Sequence, residues 1–133
     1  MEHNRSTLEH LLRDERIHAV VVTANFLRYP ASDQERFRAG LARSVEALAA
    51  AGKTVVLVYP QPTPWFEPPS ALGLMAHRGE NIETLGPSMQ QYERENGDAI
   101  AFLDSLARRT GAATFNPADE LCTPTFCPVY RAD

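Results

Sequence analysis

The chain has 133 residues, 44% hydrophobic and 23% charged, with a formal net charge of -4. That length fits one domain with a single core, and the acidic balance argues against nucleic acid as a partner, because phosphate binding wants a basic face. No apolar run approaches the about 20 residues of a membrane span, and the opening "MEHNRSTLEH" lacks the apolar core of a secretory signal, so the sequence alone reads as soluble and untargeted.

In chain order, Ser6 and Glu9 have the spacing of a capping box, and Leu8, Leu11 and Leu12 form a helical stripe, which predicts a helix over 6–15. "HAVVVTANF" is a β-branched run that predicts a buried strand over 18–24. "LRYPAS" is a loop. Ser32 and Glu35 repeat the capping spacing. Phe37, Leu41, Val45 and Leu48 then predict a helix over 33–51, stopped by Gly52. "KTVVLVYP" predicts a second buried strand over 53–59. A strand–helix–strand unit with a crossover of this length implies parallel pairing. "PQPTPWFEPPS" holds five prolines and reads as irregular throughout. The stretch 70–87 fits no single element. Ser88 with Gln91 opens a third helix, on which Met89, Tyr92, Asn96, Ile100, Leu103 and Leu106 share a face before Gly111. Gly97 weakens its middle by about 1 kcal/mol. "AATFNP" is a short third strand.

The sum is an α/β fold: one domain over 1–133, with a doubly wound, mainly parallel sheet and flanking helices. In such sheets ligands bind beyond the carboxyl ends of the strands, which points to "TANFLRYP", "YPQPTPW" and "NPADELC".

The side chains that could carry chemistry are few. Cys122 and Cys127 have four residues between them. A structural zinc site needs two such pairs, and a redox pair has two intervening residues and opens a helix. A disulfide fits best if the protein is exported, and two unpaired thiols remain open. His3, His10, His18 and His77 are isolated and read as surface or structural groups. None of Ser6, Ser32, Ser44, Ser70, Ser88 and Ser105 sits in a nucleophile elbow. Asn25, just past the first strand, could donate to an oxyanion, although an Asn there also simply ends a strand. Trp65 and Phe66 read as packing a core edge or walling a pocket with Pro60 and Pro62. Asp119 and Glu120 read as solvated charges. No phosphate-binding or dinucleotide fingerprint is present.

The order of three segments resembles a known family, the SGNH-hydrolase-like domain joined to membrane acyltransferases that O-acetylate bacterial surface polysaccharides. "VVVTANFLRY", ending on Tyr29, is similar in outline to its strand and aromatic loop. "GKTVVLVYPQP" over 52–62 and "NPADELCTPTFCPVYRAD" at the end match more closely. The resemblance implies an SGNH or flavodoxin-like three-layer fold and Ser-His-Asp chemistry without a cofactor or metal. It implies Asp133 as the triad Asp, a Cys122–Cys127 disulfide, and Tyr29, Pro60 and Pro62 near the site. It also implies a glycan or other acyl acceptor, a membrane acyltransferase partner and a periplasmic or extracytoplasmic location. The sequence departs from the family at Asn25 (usually Arg) and Phe26 (usually Trp), and it contains neither the Gly-Asp-Ser nucleophile motif nor the His of the closing Asp-x-x-His. The expectation is therefore a partial O-acyltransferase/esterase domain, inactive by itself and oligomerising through an exposed sheet edge. The alternative is a non-catalytic α/β module that binds a small molecule or a partner.

Overall fold

The computed structural model describes residues 2–26 and 30–132, with side chains for all of these except residues 2–4 and 31. The elements are α1 (Glu2–Arg13), β1 (Ala19–Val22), α2 (Ala31–Ala50), β2 (Thr54–Val58), α3 (Pro68–His77), a 3-10 turn at Ile82–Thr84, α4 (Met89–Thr110), β3 (Ala113–Phe115) and α5 (Pro117–Leu121). They form two compact units, Met1–Pro60 with Asp98–Phe115, and Gln61–Gly97 with Asn116–Asp133.

The first unit is a three-stranded sheet in the order β1-β2-β3 with both pairs parallel. The register places Val20 beside Val55 and Val22 beside Leu57. Side chains alternate between faces along a strand, so these four share one face. That face carries the core: Val55 and Leu57 pack with Phe26, Val45 and Leu48 and, from α4, Ala99, Leu103 and Leu106. Leu8, Leu11 and Leu12 of α1 and Phe37 and Leu41 of α2 close over it. The opposite face holds Val21, Val56, Val58, Ala113 and Phe115 by the same register. There Val21 is 66% and Phe115 47% exposed.

Several expectations meet a correction. α1 starts at Glu2, so Ser6 is an interior helical residue and not its cap, and Glu9 pairs one turn back with Arg5. α2 takes Pro30 as its N-cap without any side-chain cap hydrogen bond, which places Ser32 inside the helix. Proline at a helix start loses nothing, because those amides have no intrahelical partner. The same rule explains α3, which opens on Pro68 and Pro69 inside the stretch read as irregular. The third capping signal holds: Gln91 N–H donates to Ser88 Oγ at 3.1 Å. Gly52 stops α2 at φ 77°, a conformation that costs glycine alone nothing, and Lys53 N–H reaches back to Leu48 O at 3.1 Å.

In the second unit, segments 85–89 and 125–129 pair as a short antiparallel ribbon. Met89 N–H donates to Thr125 O, Cys127 N–H to Pro87 O and Val129 N–H to Leu85 O, each at 2.9 Å. Tyr92 and Asn96 of α4 are both buried, at 3% exposure. Asn96 Nδ2 donates to Tyr92 O, while its Oδ1 has no partner among the described residues.

Candidate functional site

The site suggested by the closing motif is built around α5 and the cysteine loop. Asn116 caps α5, its Oδ1 accepting from Ala118 N–H at 3.1 Å, with Pro117 in the first turn. Tyr92 Oη donates to the same oxygen at 3.3 Å, and Asn116 Nδ2 donates to Asp119 Oδ1 at 2.9 Å. An Asn followed by Pro and two acids is a helix start that the sequence displayed. The sequence reading assigns no helix here, because five residues make too short a stripe for periodicity to register.

Cys122 ends α5 and is joined to Cys127 by a disulfide, with Cα atoms 4.0 Å apart. This closes the question the spacing left open. Thr123 turns the loop: its N–H and Oγ donate to Phe126 O at 2.8 and 2.9 Å. Cys127 is 3% exposed, and its sulfur lies 3.4 Å from Met89 Sδ, a contact of two soft sulfurs. Gly86 lies directly against the loop. A Cβ there would stand 1.9 Å from Cys127 O, so only glycine fits. Past the ribbon, Arg131 donates from Nη2 to Leu121 O at 2.8 Å and from Nη1 to Glu120 O at 3.3 Å, which ties the tail to the last carbonyls of α5. Asp133 and Tyr29 lie outside the described residues.

In the first unit, Asn25 is exposed just beyond β1, and the next residue, Phe26, is buried. Phe26 meets Phe37 at 5.3 Å and Phe102 at 6.2 Å, edge to face, and the Arg38 guanidinium lies 5.7 Å from the Phe102 centroid. Beyond β2, Tyr59 Oη donates to Asp104 Oδ1. Burial, then this bond to a carboxylate, push the Tyr59 hydroxyl above its ordinary value of 10.0. No periodicity signals such a pair, whose members are 45 residues apart. A cavity of about 270 Å³ lies at the amino ends of β2 and β3, lined by Gly52, Lys53, Thr110, Gly111 and Ala112 among others. That is the end opposite to where open α/β sheets bind ligands. The Lys53 ammonium there is already bound to Asp14 O and Ile17 O at 2.9 and 2.7 Å.

In the proline-rich segment, Pro60 is buried and Pro62 half-buried. Trp65 is 80% exposed and so packs no core edge. Its indole meets the ring of the neighbouring Phe66 edge-on, at 5.5 Å and 90°.

A parallel sheet flanked by helices, followed by a disulfide loop that ends on a Tyr-x-x-Asp tail, defines a domain of the SGNH α/β class. The chain belongs to the family described as "SGNH domain (fused to AT3 domains)", which it matches over residues 1–133. It is thus a module of an acyltransferase/esterase family. Comparison with curated proteins and with solved structures gives no match. Among the described residues, no helix is long and apolar enough to cross a membrane.

Proposed function

We propose that this chain is the part of an SGNH-type O-acyltransferase/esterase that carries the orienting Asp of a Ser-His-Asp triad, acting on a cell-surface glycan beside a membrane acyltransferase domain. The observation that carries the reading is the stapled loop: Cys122–Cys127, the ribbon to 85–89 and the Arg131 clamp all fasten the segment that leads to Asp133. In such a triad the carboxylate fixes the imidazole's tautomer and stabilises its cation, so its backbone must be held still. On this reading the serine and histidine come from polypeptide outside these 133 residues, and the chain alone does not turn over. The disulfide supports an extracytoplasmic setting, where such bonds persist.

The test is hydrolysis of p-nitrophenyl acetate by residues 1–133 and by a chain extended through the flanking coding sequence. Activity is expected only in the extended chain, with Asp133→Ala lowering kcat by about 10³–10⁴-fold. Full activity in Asp133→Ala would remove the residue from the triad, and inactivity of both chains would favour the non-catalytic binding module.

A further inference from the structure

The segment Gln61–Glu67 alternates. Gln61, Thr63, Trp65 and Glu67 are exposed, while Pro62, Pro64 and Phe66 are half-buried. Two-residue periodicity fits an extended chain, and here the chain then bends at Trp65 and Phe66. Up to that bend the row of exposed side chains presents an amide at Gln61, a hydroxyl at Thr63 and the indole of Trp65, with Gln61 and Trp65 up to about 13 Å apart at the rise of extended backbone, and the Glu67 carboxylate follows beyond it. Proline fixes φ at Pro62 and Pro64 and restricts the residue before each. Thr63 Oγ donates back to Gln61 O at 3.3 Å, and Phe66 supports the indole from the side. A platform stiffened before binding has less freedom to lose when it binds.

We propose that this row is a carbohydrate subsite, in which Trp65 stacks on the C–H face of one pyranose ring and Gln61, Thr63 and Glu67 take hydroxyls of the adjoining units. The choice of a glycan rests on the acyltransferase reading above; the choice of the row rests on its chemistry. A flat π-face pairs with an apolar sugar face, while amide and carboxylate groups bind vicinal hydroxyls. A lipid surface fits worse, since the row carries no Lys or Arg to meet anionic headgroups and the chain is acidic overall. A protein partner also fits worse, because a tryptophan anchor is ringed by groups that exclude water, whereas here the exposed residues nearest Trp65 in the chain, Thr63 and Glu67, are polar.

Trp65 is the sole tryptophan of the chain, so its emission reports the subsite directly. The experiment titrates residues 1–133 with maltohexaose, cellohexaose, mannohexaose and chitohexaose, following Trp65 emission and, for the variants, heat of binding. At least one hexaose is expected to give a saturable emission change. Trp65→Ala is expected to weaken that binding about ten-fold, while Trp65→Phe keeps most of it; melting temperature checks that both fold. The proposal is overturned if no hexaose moves the emission or if Trp65→Ala binds equally well. It is also overturned if only phosphatidylcholine vesicles, or protein concentration alone, shift the emission. Binding is read without turnover. Hexaose binding with an inactive extended chain would therefore sink the transferase reading and leave the subsite, and the reverse result would sink the subsite alone.

Discussion

Gly86 is set by the Cys127 carbonyl, whose oxygen and carbon would stand 1.9 and 2.7 Å from a Cβ. Its missing Cβ leaves the room that the Cys127 carbonyl occupies, and both neighbours of the contact are backbone that cannot swing aside. Gly86→Ala is expected to cost about 3 kcal/mol through the forced separation of the ribbon, read as a lower urea midpoint. An unchanged midpoint would mean that the ribbon moves freely. Asp14 offers a pH test at the same scale. Arg16 bonds both of its oxygens, at 3.0 and 2.7 Å, and this side-chain grip first, then the Arg16 amide, holds its carboxyl at about 2 against an ordinary 3.8. A folded-state value below the unfolded one means that the unfolded chain takes up the proton first. The contribution is therefore complete above pH 3.8 and is lost as pH falls toward 2. Asp14→Asn is expected to flatten the stability profile across that window, and an unaltered acid limb in urea melts would count against the pairing.

Among the elements, the disulfide and the ribbon act together. Closing so short a loop restrains the unfolded chain by about 2 kcal/mol in the loop-entropy account. Reduction, or Cys122→Ala with Cys127→Ala, is expected to remove that much and to speed hydrogen exchange at the Met89, Cys127 and Val129 amides before those of β2. Equal exchange everywhere would show that the staple acts on the whole chain. The same elements show what sequence could and could not give. β1, β2 and the parallel pairing were legible because "AVVV" and "TVVLV" are unbroken apolar runs flanked by a helical stripe. α4 was legible through Tyr92, Leu103 and Leu106 on one face. α3 was not, because the signal of five prolines outweighed the one place where two of them start a helix. The ribbon was hidden because 85–89 and 125–129 contain proline and no alternation, and only backbone hydrogen bonds define them. The disulfide was open until the fold brought the two Cα atoms together.

At the scale of the molecule, the core of the first unit lies against one face of its sheet, and on the other face Val21 and Phe115 are exposed. The sheet's parity is testable with a matched pair. Val55 points into the helices at 3% exposure, so Val55→Lys buries an unpaired charge and is expected to cost roughly 4 kcal/mol or more. Val21 points the other way, and Val21→Lys is expected to stay within about 0.5 kcal/mol. Circular dichroism melts that rank the two the other way round would invert the assignment of faces. The open face also bears on heat capacity. Unfolding raises it in proportion to the apolar surface newly wetted. A chain of 133 residues would ordinarily show roughly 1.7 kcal/mol/K. Val21 and Phe115, already wet in the native state, contribute little to that increment, so Val21→Lys is expected to leave the curvature of stability with temperature nearly unchanged.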